Sequence, residues 1–126
     1  AGIACDNQVF GFVIGIQVSD QATPELRANR VDGAGIGGVG ILYGVAGAGI
    51  ADGNLSIDQQ LGFQLSGTAQ PTLTNNTVEN AEAAAFLIQG DATAALSGNV
   101  CSGGGAGIVV LENAAPELGD NDCSVQ

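Results

Sequence analysis

Histidine, methionine, tryptophan and lysine are missing from this 126-residue chain, and four Phe and one Tyr are its only aromatic residues. Without His, no Ser–His or Cys–His nucleophile pair can form. Arg27 and Arg30 are the only cations against 13 acidic side chains, a net charge of −11. Nucleic-acid binding needs clustered Lys and Arg to displace counterions from phosphates, so that class is excluded, and adhesion to anionic membranes with it. No apolar run approaches the ~18 residues of a membrane-spanning helix, so membrane insertion is not expected. No metal-ligand spacing or cofactor motif stands out, and none is assigned.

What the chain does have is 21 Gly and 45% hydrophobic residues, mostly small and aliphatic. Such residues fill a thin columnar core better than a wide globular one. A repeat supplies the column. Asn recurs at 7, 29, 54, 76, 99 and 121, with gaps of 22, 25, 22, 23 and 22. Three residues before each stand Ala4, Leu26, Ala51, Leu73, Leu96 and Leu118, and two after it Val9, Val31, Ser56, Val78, Cys101 and Cys123. Upstream in each coil, Ile16, Ile41, Phe63, Phe86 and Ile108 alternate with Val18, Tyr43, Leu65, Ile88 and Val110 two positions on. Period two is the signature of a half-buried strand. A fixed period near 22 residues marks a solenoid, in which like residues stack on like.

These patterns predict an all-β fold: a parallel β-helix (solenoid) of about six coils, 22–25 residues per coil. Residues 1–126 form a single domain, expected to be uncapped at both ends. Asn7, Asn29, Asn54, Asn76, Asn99 and Asn121 are read as an internal ladder, their amides bonding along the stack and to turn backbone. Asn also tolerates the left-handed backbone of tight turns. The 25-residue gap places an insertion of three residues between Arg30 and Val39. Its Gly33, Gly35, Gly37 and Gly38 lack the strand–loop–helix setting and the Lys of a phosphate-binding loop.

The repeat, as in Gly62-Phe63-Gln64-Leu65 through Pro71-Thr72-Leu73-Thr74-Asn75-Asn76-Thr77-Val78, resembles the right-handed parallel β-helix repeats of the pectin-lyase-like superfamily. It is similar above all to the generic repeats of NosD-like periplasmic proteins. The resemblance spans essentially the whole chain. It implies a right-handed coil and leaves activity open, because this fold hosts lyases, hydrolases, epimerases, adhesins and passive spacers. Lyases of the superfamily abstract a sugar proton with Arg or Lys. Arg27 and Arg30 are the only candidates, and both read as solvated turn charges. The hydrolases use grouped Asp residues as acid and base. Asp120 and Asp122 flank Asn121 but would stack on Gly98 and Val100, not on further carboxylates.

Cys101 and Cys123 occupy one column in neighbouring coils, where equivalent Cα atoms lie ~4.8 Å apart, within disulfide reach. They are read as a bridge, with two packed thiols as the alternative. Cys5 is left over, either a cross-linking residue or a buried thiol. Both ends fall within a coil, with no polar or helical cap in view. The reading that unites these features is a secreted structural protein, extracellular or at the cell surface. Its partner is itself, stacked head to tail into a filament or matrix, with Val9, Leu118 and Val125 as candidate end contacts. The alternative is a polysaccharide-binding or polysaccharide-processing β-helix, part of a larger protein.

Overall fold

The computed structural model describes residues 2–34, 36 and 38–125. Short runs of β-branched and aliphatic residues, broken by Gly, Asp and Asn, lay down three strands per coil. The first coil contains β1 (Ile3–Cys5), β2 (Gln8–Phe10) and β3 (Ile14–Val18). The second contains β4 (Glu25–Arg27), β5 (Arg30–Asp32) and β6 (Val39–Tyr43). The third contains β7 (Ala48–Asp52), β8 (Leu55–Ile57) and β9 (Leu61–Leu65), and the fourth β10 (Gln70–Thr74), β11 (Thr77–Glu79) and β12 (Ala84–Ile88). The fifth holds β13 (Ala95–Ser97), β14 (Val100–Ser102) and β15 (Ala106–Val110), and β16 (Glu117–Leu118) opens a sixth. The all-strand parallel solenoid predicted from the repeat is the fold observed.

Three parallel sheets run the length of the stack, one of six strands and two of five. Register follows the repeat: Leu26 pairs with Ala51, Ala51 with Leu73, and Leu73 with Leu96. Ile41 pairs with Phe63 and Phe63 with Phe86. Each column is therefore continuous through the core. Phe63 and Phe86 stack with ring centroids 4.9 Å apart and planes 17° from parallel.

The sixth coil is shortened. Asp122 bridges Val100 and Val125 bridges Ile108, both in parallel. Cys101 to Ile108 takes seven residues along the chain, whereas Cys123 to Val125 takes two. The chain thus cuts across the end of the core column, and the Ile108 amide donates to the Ser124 carbonyl.

Each of the first five coils turns three corners, and each of these corners holds a left-handed residue. The first is filled by Asp6, Ala28, Gly53, Asn75 and Gly98. The second is filled by Gly11, Ala34, Asp58, Asn80 and Gly103, and the third by Asp20, Val45, Gly67, Gly90 and Glu112. At the first corner it is the residue before the ladder Asn that is left-handed, not the Asn. The Asn is thereby free to serve the ladder with its side chain.

Val45 is a β-branched residue held at φ 51° with its side chain largely in solvent. Left-handed backbone costs an L-residue ~1–2 kcal/mol, and the greater unfolded-state entropy of Gly offsets about half of that. Val45→Gly should therefore stabilise the fold by ~0.5–1 kcal/mol, read as a higher midpoint in urea unfolding. An equal or lower midpoint would show that the Val side chain contributes more than its backbone costs.

Candidate functional site

The most organised polar feature of the molecule is the Asn column. Asn29, Asn54, Asn76 and Asn99 are buried, while Asn7 is exposed and Asn121 half-buried. The Nδ2 of each donates to the Oδ1 of the next: Asn7 to Asn29 at 2.8 Å, Asn29 to Asn54 at 3.0 Å, Asn54 to Asn76 at 3.0 Å. Asn76 to Asn99 follows at 3.1 Å and Asn99 to Asn121 at 2.8 Å. The backbone amide of each Asn donates to the same Oδ1 at 2.9–3.1 Å. The second Nδ2 proton points back one coil, to the carbonyls of Ala4, Leu26, Ala51, Leu73 and Leu96 in turn. An interior Asn thus places two donors and fills both acceptor sites of its oxygen, which is all the amide has to offer.

The column has a direction. The backbone amide and one Nδ2 proton of each rung from Asn7 to Asn99 point from the first coil towards the last, and each side-chain oxygen from Asn29 on accepts from the coil before it. Among the described residues, nothing donates to the Asn7 Oδ1, and the Asn121 backbone amide has no acceptor.

The candidate chemical groups are engaged elsewhere. Arg27 ends β4 and Arg30 begins β5, on either side of the first corner. Arg27 Nε meets Glu25 Oε2 at 2.8 Å and Arg27 Nη1 meets Asp52 Oδ2 at 3.3 Å. The hydrogen bond and charge of Glu25, reinforced by Asp52, push the Arg27 guanidinium further above its ordinary value. That is the opposite of what a catalytic base requires. Asp52 also accepts from Thr74 Oγ1 and Asn75 Nδ2, and these two bonds, ahead of Arg27, hold its carboxyl below the ordinary value. Arg30 Nη2 lies 3.4 Å from Asp32 Oδ2.

Asp120 and Asp122 border a shallow hollow with Gly98, Asn99, Val100 and Asn121, at the last rung of the ladder. Their backbones stack on the preceding coil: the Asp120 carbonyl accepts from Gly98 and Asp122 pairs with Val100. Among the described residues, no group of three or more His, Cys, Asp or Glu is placed to hold a metal ion. In the insertion, Gly35 and Gly37 lie outside the described residues. Gly33 packs against the Asp58 carbonyl, 2.1 Å from where a Cβ would stand.

Cys101 and Cys123 form a disulfide with Cα atoms 5.0 Å apart, and Cys5 is an exposed free thiol. Val9 is half-buried beneath Val31, Leu118 pairs with Leu96, and Val125 lies exposed beside Ile108.

A family description, right-handed β-helix region, matches residues 6–123. This chain belongs to the right-handed β-helix family. The match fits the resemblance to pectin-lyase-like repeats and fixes the hand of the coil, which is also the one that parallel crossovers favour. No curated protein and no solved structure matches the chain significantly.

Two buried polar atoms of this β-helix lie outside the repeat's logic. Gln59 donates through Nε2 to the Val31 carbonyl, but its Oε1 has no partner among the described residues. The Tyr43 hydroxyl, in the column of Val18, Leu65 and Ile88, also has none, and burial pushes its phenol well above the ordinary value of 10.0. An unpaired buried hydroxyl costs ~1–3 kcal/mol, so Tyr43→Phe should stabilise the fold within that range by thermal or urea unfolding. The gain should grow above pH 10. The unfolded phenol ionises there while the folded one resists, so wild-type stability falls as pH rises through that value. An unchanged midpoint in Tyr43→Phe at every pH would mean that the hydroxyl is paired.

Proposed function

We propose that this β-helix is a secreted structural subunit that stacks head to tail on copies of itself, forming an extracellular filament or matrix. One observation carries the reading: the core column three residues before each ladder Asn is closed in the middle of the stack and stands open at its last rung. In the column of Leu26, Leu73 and Leu96, relative exposure is 2%, 0% and 1%, but at Leu118 it is 39%. At the other end the first members of the core columns, Ala4, Val9 and Ile16, are only partly buried, whereas Leu26, Val31 and Ile41 one coil on are buried. Open solenoid ends present apolar side chains and unpaired strand edges together, a template for another coil. The contact is heterologous, so it propagates instead of closing. The disulfide supports an oxidising, extracellular setting.

The acidic body opposes side-by-side packing and leaves the ends as the preferred contact. Sedimentation velocity over a concentration series tests the reading. The unmodified protein should form species larger than one chain, and Leu118→Lys or Val9→Lys should abolish them. Val125→Lys, at an exposed site, is the milder companion variant. A protein that remains one chain at every concentration and salt level would replace this reading with that of a polysaccharide-binding module within a larger protein.

A further inference from the structure

We propose that the Asn ladder runs on across the junction between stacked copies, so that Asn121 of one copy donates to Asn7 of the next and only head-to-tail contacts form. The proposal rests on the self-stacking reading and specifies its interface. Within one chain every ladder step consists of the same three hydrogen bonds. Backbone N–H and Nδ2 of one Asn donate to the Oδ1 of the next, as from Asn54 to Asn76. The Nδ2 of that next Asn donates back to the carbonyl three residues before the first, as from Asn76 to Ala51.

The two ends hold the two halves of one such step. Asn7 offers an Oδ1 that accepts from none of the described residues, and one Nδ2 proton not used towards Asn29. Asn121 offers its backbone N–H, and the carbonyl three residues before it belongs to Leu118. The Asn121 Nδ2 now reaches the carbonyls of Leu96 and Gly119. The Leu96 bond is the backward contact that every rung makes, whereas the Gly119 bond is local and has no counterpart at the interior rungs. Turning that second proton from Gly119 to the neighbour's Oδ1 completes the step.

Head-to-head contact brings two Asn7 oxygens together, acceptor against acceptor. Tail-to-tail contact brings two backbone N–H groups together. The ladder therefore discriminates orientation by hydrogen-bond polarity, over and above the apolar surface that both ends share. The shortened sixth coil suits this junction. Between them β16, Asp122 and Val125 touch all three sheets, and in the next copy β1, β2 and β3 lie in the same three.

Two residues after each Asn runs the column Val9, Val31, Ser56, Val78, Cys101, Cys123. In a continuous ladder the next member after Cys123 is Val9 of the neighbour, at the one-coil spacing that the Cys101–Cys123 bridge spans with Cα atoms 5.0 Å apart. That makes a covalent test available. In the full chain, Cys5→Ser and Cys101→Val remove competing thiols, and Val9→Cys places a partner for the freed Cys123. Circular dichroism confirms that the variant folds. Mild oxidation should give a ladder of reducible multimers, and peptide mass spectrometry should find residue 9 linked to residue 123.

If the chains associate but the links are 9–9 and 123–123, or none form, the junction is overturned while self-stacking stands. If neither this variant nor the unmodified protein associates, self-stacking falls and the junction with it. Should the triple variant misfold, Asn121→Asp is the second probe. Its carboxylate still accepts from Asn99 but meets the neighbour's Asn7 oxygen with an anion. It should raise the concentration for half-association at least tenfold, and an unchanged value would overturn the junction.

Discussion

Replacing Asn76 by Leu should cost more than ~4 kcal/mol and leave little folded protein. The two side chains have the same heavy-atom count and branching, so the effect is chiefly one of polar satisfaction. Four groups lose a partner at once, although the Asn99 oxygen keeps the backbone amide of residue 76. The Asn54 backbone amide and Nδ2 lose an acceptor, and the Asn99 oxygen and Ala51 carbonyl lose a donor. Each unpaired buried group costs ~1–3 kcal/mol, against a total stability of ~5–15 kcal/mol for a typical domain. Asn7→Leu is the contrasting case. It removes one exposed amide, and the backbone bond from residue 7 to Asn29 survives. Its cost should stay near ~1 kcal/mol. Chemical unfolding of the two variants side by side checks the claim, and equal losses would mean that the ladder does not act as a buried network.

The second large effect is expected at Phe86. Its ring is fully buried and stacked on Phe63, midway along the core column, with Ile108 beyond it. Phe86→Ala removes the stack and leaves a cavity between coils whose backbones are fixed by parallel ladders on both sides. The expected loss is ~3–5 kcal/mol. Phe86→Leu keeps most of the volume and should cost less than half as much. A loss below ~1 kcal/mol for the alanine variant would show that the coils close around the gap.

These two sites show what could be read from the chain alone. The recurrence of Asn with Leu or Ala three before and Val, Ser or Cys two after is a direct image of stacking. In a parallel ladder, chemically alike neighbours are also spatial neighbours, so both the column and the strand period appear in one sequence. The pairing of Cys101 with Cys123 was visible for the same reason.

The corners were less legible. A left-handed position asks only for a backbone angle, and Gly53, Gly67, Gly90 and Gly98 advertise it. Ala28, Val45 and Glu112 fill equivalent places without any such signature. The sixth coil was illegible in another way. Its chain leaves the register after Cys123 and crosses to Ile108 in two residues, and a repeat rule carries no information about a departure from the repeat. The direction of the ladder was hidden too, since six identical side chains do not reveal which way their amides point. Gln59 lies in the polar run Asp58-Gln59-Gln60, where nothing marks one residue as buried.

Particle length tests end-to-end stacking most directly. Six coils at ~4.8 Å each make a rod of about 29 Å per copy. Negative-stain images of the unmodified protein over a concentration series should show rods of uniform width, lengthening in multiples of that unit as concentration rises. Particles that remain one unit long at every concentration would contradict end-to-end stacking.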